Sequence, residues 1–169
     1  MRIGIVSDTH RNLDYLEKVA EWLEKRRHIA VLYHLGDDYQ DVMSLSERHL
    51  EVVQVPGIYN PRYTDGSLSA KAYETVQGVR ILLAHSLEKD VTPEDVGRSD
   101  IILYGHTHSA EIRVEDGILY MNPGHLKGPA DKTRPPSFGF LEIKDTSVHA
   151  VLYDLDFKEI KTEELVRSE

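Results

Sequence analysis

Cysteine is absent from all 169 residues. That excludes disulfides, thiolate metal sites and a cysteine nucleophile, so any metal must be held by nitrogen and oxygen. Long apolar runs are missing as well. None approaches the roughly 20 residues a helix needs to cross a bilayer. Basic residues are the minority, with 20 Lys and Arg against 29 Asp and Glu and a formal net charge of −9. A nucleic-acid-binding domain normally shows a basic face, so duplex nucleic acid is not an expected partner. An anionic substrate remains compatible, because bound divalent cations reverse the local field. Met1-Arg2 leads straight into Ile3-Gly4-Ile5-Val6, which leaves no room for a signal peptide, and a cytoplasmic location is expected.

What is present describes a globular chain: 40% apolar and 29% charged residues, enough for a core, read as a single domain over residues 1–169. Arg2–Val6 is expected to be a strand. Asn12 then caps a helix from Leu13 to about Arg27 with Leu13, Leu16, Val19, Ala20 and Leu23 as its apolar stripe. Strands are expected over Ala30–Leu35 and Glu51–Val55, with a short helix from Asp41 to about Arg48 that turns Val42, Met43 and Leu45 inward. Ile58–Ser69 reads as a loop. Strand-like segments Tyr73–Gln77 and Val79–Ala84 flank Gly78, and a helical turn opens at Pro93. The apolar run Ile101-Ile102-Leu103, rich in β-branched residues, reads as a buried strand. Asp116-Gly117 signals a type I′ hairpin, Phe138–Lys144 and Val148–Leu155 form a last hairpin, and Lys158–Glu169 reads as a solvated tail or frayed helix. Strand and helix alternate in the first half and hairpins fill the second, which one α/β domain with two sheets accommodates.

The chemistry-bearing residues stand at strand ends. Asp8 and His10 follow the first strand, Asp37 the second, Asn60 the third; His85 closes another, and Gly105-His106-Thr107-His108 follows Leu103. In extended chain His106 and His108 would point to the same side. Ligands of open α/β sheets gather outside the carboxyl ends of strands. So many nitrogen and oxygen donors exceed one tetrahedral zinc and suit two divalent ions, the clamp used in phosphoester hydrolysis.

The ordered set Asp8-x-His10, Gly36-Asp37, Asn60, His85 and Gly105-His106-x-His108 resembles the calcineurin-like metallophosphoesterase family, at the length of its small single-domain phosphodiesterase branch. The resemblance implies an α/β fold of two mixed β-sheets packed as a sandwich and flanked by helices. It further implies a first ion held by Asp8, His10, Asp37 and His108, and a second by Asp37, Asn60, His85 and His106, with Asp37 bridging. Family members use manganese, iron, zinc or nickel. The activity implied is a metal-dependent phosphodiesterase, or alternatively a phosphomonoesterase, with a hydroxide between the ions as nucleophile and a small, nucleotide-derived phosphoester among the expected substrates. Family members often self-associate, so a homo-oligomer is among the expectations.

Two departures from the family pattern stand out. Gly57-Ile58-Tyr59-Asn60-Pro61-Arg62 replaces the usual adjacent Gly-Asn followed by His or Cys, so the customary general acid is missing. Ser86-Leu87 follows His85 where relatives carry Gly-His. His125, where relatives usually have a small residue, is a candidate proton donor or substrate contact, and an exposed turn histidine is its plainer reading. Arg62, Lys132 and Arg134 are candidate phosphate contacts, with Arg62 and Arg134 assigned to substrate. Asp38 is expected to point away from Asp37, and Asp65 to support His10. His34 is expected to be packed, and His28, His49 and His149 to lie on the surface. A retromer subunit of the same fold works through protein contacts with a decayed site, so a catalytically weak scaffold is the alternative from another class.

Overall fold

The computed structural model describes residues 1–167. Two sheets face each other. The first contains β1 (Arg2–Val6), β2 (Val31–His34), β3 (Glu51–Gln54), β9 (Ser137–Ile143), β10 (Ser147–Asp154) and β11 (Glu159–Val166), in the order β11-β10-β9-β1-β2-β3. The second contains β4 (Lys71–Val76), β5 (Val79–Ala84), β6 (Ile101–Leu103), β7 (Glu111–Glu115) and β8 (Ile118–Asn122), in the order β4-β5-β6-β8-β7. Both are mixed. β1, β2 and β3 run parallel, as do β5, β6 and β8, while the hairpin strands add antiparallel edges.

Period-2 alternation sorts the side chains of β1. Ile3 and Ile5 enter the core between the sheets together with Ile81, Leu83, Leu103 and Met121, all buried. Gly4 and Val6 face the opposite way, toward α1 (Leu13–Trp22). A Cβ on Gly4 would stand 2.7 Å from the Leu23 side chain, so helix and strand approach closely there. Asn12 caps α1 by accepting the Tyr15 N–H at 3.2 Å. From Leu23 to Arg27 the helix widens into a π-helical turn that ends at His28 in the left-handed region. Leu16, Val19 and Ala20 are buried, whereas Leu13 is 41% exposed and falls outside the expected stripe. Met43, expected inward, is 68% exposed, because Asp41–Leu45 winds as a 3-10 turn whose period differs from the helical one used to place it.

α2 (Pro61–Thr64) occupies the middle of the expected loop, with Pro at its first position. α3 (Leu87–Asp90) and α4 (Pro93–Arg98) cover the outer face of the second sheet, where Leu82, Ile102, Tyr104 and Tyr120 are buried.

The C-terminal expectation is corrected: Glu159–Val166 is an edge strand paired antiparallel with β10, and the last two residues of the expected tail lie outside the described residues. Asp154 closes the turn, its Oδ1 accepting N–H groups of Asp156 and Lys158, both at 2.9 Å. Phe157 stacks on Trp22 with ring centroids 4.8 Å apart. The anchor therefore lies in the turn, and the charged strand needs little burial of its own. Its Lys and Glu side chains also guard an open sheet edge against further pairing.

Asp95 ties α4 to β4. Its carboxylate accepts from Lys71 Nζ at 2.6 Å, Tyr73 OH at 2.6 Å and the Thr92 N–H at 2.8 Å. Burial pushes this carboxyl up, but the bonds from Lys71, Tyr73 and Thr92 outweigh it and hold the group well below the usual range. A carboxylate depressed on folding contributes stability above its unfolded pKa and loses it as pH falls toward the folded value. Asp95→Asn is expected to cost about 2 kcal/mol at neutral pH. Urea unfolding should show the gap from wild type shrinking below about pH 4.

Candidate metal centre

The loops after the parallel strands of both sheets meet at one edge of the sandwich and carry Asp8 and His10 (after β1), Asp37 (after β2), His85 (after β5) and His106 and His108 (after β6). Asp8, His10, Asp37, His106 and His108 all have positive φ, between 46° and 68°. Left-handed backbone is uncommon in residues other than glycine, and such strain clusters where surrounding structure fixes a site. The extended reading of His106 and His108 is thereby corrected. Their turn, closed by Thr107 N–H on the Gly105 carbonyl at 2.8 Å, sends His106 beside His85, ring centroids 5.2 Å apart. His108 goes the other way, to Asp8 and His10.

Glycines make room for the carboxylates. A Cβ on Gly57 would stand 1.8 Å from Asp37 Oδ1, and one on Gly105 would stand 2.0 Å from Ser7 Oγ and 2.7 Å from Asp8 Oδ2. Asn122 fastens the histidine turn from below, its Nδ2 donating to the Gly105 carbonyl at 2.9 Å and to Thr107 Oγ1 at 3.0 Å.

Three of the four imidazoles, those of His85, His108 and His10, share one orientation. His85 Nδ1 lies 2.8 Å from the Leu35 carbonyl, and His108 Nδ1 lies 2.7 Å from Asp131 Oδ2. His10 Nδ1 is 3.4 Å from Asp38 Oδ2. An acceptor on Nδ1 assigns the proton to that nitrogen and leaves Nε2 bare. Those Nε2 atoms point inward. His108 Nε2 is 3.1 Å from Asp8 Oδ1 and 3.2 Å from His10 Nε2. His10 Nε2 is 3.5 Å from Asp37 Oδ2, and His85 Nε2 is 3.4 Å from Asp37 Oδ1. Ligand atoms of Asp8, His10, Asp37 and His108 all lie within 4.8 Å of one another. Asp8 Oδ1 and His85 Nε2 are buried without a hydrogen-bond partner. With the outer nitrogens protonated, the facing Nε2 atoms of His10 and His108 need a proton or a metal ion between them and the carboxylates. The donor set therefore fits divalent ions of the nitrogen- and oxygen-binding kind.

The titrations follow the same geometry. Burial pushes the Asp37 carboxyl up, and the neighbouring Asp8 charge adds to this against the opposing pull of His85. Burial also pushes Asp8 up, but its contacts with His108, His85 and Ser7 outweigh that and lower it. His108 is raised by its contact with Asp8, against burial, and further by Asp131. His106 is lowered by burial and by His85.

Other expected residues are placed as follows. Asn60 lines the same cleft as Asp37 and His10, a space of about 850 Å³. Its Oδ1 accepts the Arg62 N–H at 2.9 Å and caps α2, one of the two lone pairs that oxygen carries. Arg62 is on the cleft wall; Arg134 is not. His125 is fully buried rather than an exposed turn residue, 5.2 Å from His108 between ring centroids, with Nε2 on the Arg134 carbonyl at 3.0 Å. Asp38 does not point away: its backbone is left-handed, and it turns to His10 and Arg11. Asp65 accepts the Ser67 N–H at 2.8 Å, and Asp38 occupies the place beside His10 that Asp65 was expected to take. His34 is packed as expected, against Thr9 Oγ1, and burial lowers it to about 4. Asp131 has no signal in the sequence, and Asn122, legible there as a turn residue at a strand end, gives no sign of its contacts beneath the histidine turn. Asp131 is an acid in a basic loop 23 residues from His108, and no spacing rule connects the two.

Strand-end donors at the meeting edge of two mixed sheets define a metallophosphoesterase-type architecture. Residues 1–146 match the calcineurin-like phosphoesterase superfamily domain, and the chain belongs to that family. It is 25% identical over 170 residues to a probable metallophosphoesterase of Bacillus subtilis, covering 95% of each chain. A phosphodiesterase of Methanocaldococcus jannaschii is 21% identical over 173 residues, 91% of this chain and all of that one. Among solved structures, Vps29 of Chaetomium thermophilum superposes with a TM-score of 0.76 at 21% identity, over 99% of this chain and 100% of that one. No helix among the described residues is long and apolar enough to cross a membrane.

Proposed function

We propose that this chain is a divalent-metal-dependent phosphodiesterase with a dinuclear centre. Asp8, His10, Asp37 and His108 would hold one ion and Asp37, His85, His106 and Asn60 the other, Asp37 serving both. The observation that carries this reading is the inward convergence of imidazole Nε2 atoms on carboxylates, with Asp8 Oδ1 and His85 Nε2 buried and unpartnered. Bound in pairs, such ions supply Lewis acidity at the phosphoryl oxygens and lower the pKa of a water, so that a nucleophile exists near neutral pH. The chain's own part is positioning. Leu35, Asp38 and Asp131 hold the imidazole tautomers, and Gly57 and Gly105 admit the carboxylates. The cleft beside Asp37 and His10 takes the ester, with Arg62 on its wall for the phosphate.

His125 is a poor proton donor in this arrangement. Burial lowers it, and the Arg134 carbonyl fixes its proton on Nε2, leaving Nδ1 to accept rather than give. The leaving group therefore departs on its own basicity. Nitrophenyl phosphodiesters should be cleaved far faster than alkyl phosphodiesters, while His125→Ala leaves the ratio of the two rates unchanged. Steady-state assays with added Mn²⁺ test this, and equal rates on both ester classes would contradict it. The M. jannaschii relative's designation as a phosphodiesterase supports a diester over a monoester substrate. A scaffold reading draws on the fold likeness to Vps29. Metal-dependent turnover separates the two, because a scaffold shows none.

A further inference from the structure

Of the two candidate ligand histidines whose outer nitrogen faces a carboxylate from another loop, His108 has the closer contact, 2.7 Å to Asp131 against 3.4 Å from His10 to Asp38. Asp131 Oδ2 makes that contact, and Lys127 Nζ holds the other oxygen at 3.1 Å. The backbone of Asp131 is fixed as well, its N–H and carbonyl exchanged with those of Arg134 at 2.9 Å each. Arg134 offers the same carbonyl to His125 Nε2, and the Leu126 N–H reaches the Asp8 carbonyl at 3.2 Å. The segment between β8 and β9 is thus hydrogen-bonded to the centre at two points, and Asp131 is the one that bonds a candidate ligand's side chain.

We propose that Asp131 is a positioning residue: it holds the His108 proton on Nδ1, fixes the ring, and so presents Nε2 as a ligand to a divalent cation. This rests on the metal reading above. A carboxylate on the far nitrogen of a ligating imidazole sets tautomer and orientation and raises the basicity of the near one, and losing such a partner typically costs about 10–100-fold in metal affinity. The competing role is structural, with Asp131 merely pinning its own loop to Lys127. Lys127→Ala separates the two, because it removes the pin and leaves the contact with His108.

The experiment titrates Mn²⁺ calorimetrically into metal-free wild type, Asp131→Ala, Asp131→Asn and Lys127→Ala, with thermal unfolding of each metal-free form alongside. Nitrogen-detected NMR of the imidazoles at about pH 8.5, above the ordinary histidine range, reads the His108 tautomer. Asp131→Ala is expected to bind Mn²⁺ roughly 10–100-fold more weakly and to release His108 from the Nδ1–H tautomer. Asp131→Asn, which still accepts the same N–H without a charge, should fall between, and Lys127→Ala should bind as wild type does. Wild-type affinity in Asp131→Ala with an unchanged His108 tautomer overturns the proposal. So does a loss in Lys127→Ala equal to that in Asp131→Ala, or a fall in Tm with Mn²⁺ affinity intact. Failure of wild type itself to take up Mn²⁺ would contradict the metal reading from which the proposal starts.

Discussion

Asp37→Ala is expected to lower phosphodiester hydrolysis by roughly a thousandfold, the ~4 kcal/mol scale of charge stabilisation that a metal pair supplies. The reason is position. Asp37 places Oδ1 3.4 Å from His85 Nε2 and Oδ2 3.5 Å from His10 Nε2, so its two oxygens face the two groups of ligands. Without it, the two-ion centre proposed above would lose a carboxylate from both ions. The same substitution should not harm the metal-free fold. Burial and the nearby Asp8 already push the Asp37 carboxyl up, which means the folded protein holds that charge at a cost when no cation is present. The metal-free variant is therefore expected to melt no lower than wild type, while the rise in Tm on adding Mn²⁺ disappears. Thermal unfolding with and without Mn²⁺, beside steady-state rates, gives both halves. A variant that turns over normally, or that melts far below wild type without metal, would count against the assignment of Asp37.

Gly57→Ala should do nearly as much damage without removing a single ligand. Its Cβ would lie 1.8 Å from Asp37 Oδ1 and also 2.7 Å and 2.8 Å from the Asp37 N and Cα. Rotating the carboxylate cannot relieve contacts with backbone, so the turn bearing Asp37 must shift. A misplacement of about 1 Å costs on the order of a hundredfold in rate, and overpacking of this kind costs about 1–3 kcal/mol in stability. Gly97 supplies the control, since it lies in α4 with nothing within 4 Å of an added Cβ. Gly97→Ala is expected to hold wild-type activity and gain about 0.5–1 kcal/mol. Rates, Mn²⁺ affinity and urea midpoints of both variants decide the matter, and equal behaviour of the two would contradict the account.

The strand-end donors could be read in the sequence because chemistry and topology coincide there. A parallel strand must end before its crossover, and Asp8, Asp37, His85 and His106 each stand just past such an end. Two sheets were legible because strand and helix alternate through the first half of the chain while hairpins fill the second, whereas their packing as a sandwich came from the resemblance. Other features leave no such trace. The left-handed backbone at five candidate ligands is imposed by tertiary packing and contradicts the extended spacing assumed for His106 and His108. β11 carries a charged sequence, EIKTEELV, whose partner is chosen by the Asp154 turn and by Phe157 on Trp22, not by its own hydrophobicity. Asp131 meets His108 through loop closure, and Met43 is exposed because a 3-10 turn has a different period.

Two cations in contact with Asp37 are the centre of this account. Anomalous diffraction from crystals of the chain loaded with Mn²⁺ measures them directly. Two peaks are expected per chain, one among Asp8, His10, Asp37 and His108, the other among Asp37, Asn60, His85 and His106. A single peak, or peaks that leave Asp37 outside contact with either ion, would contradict it.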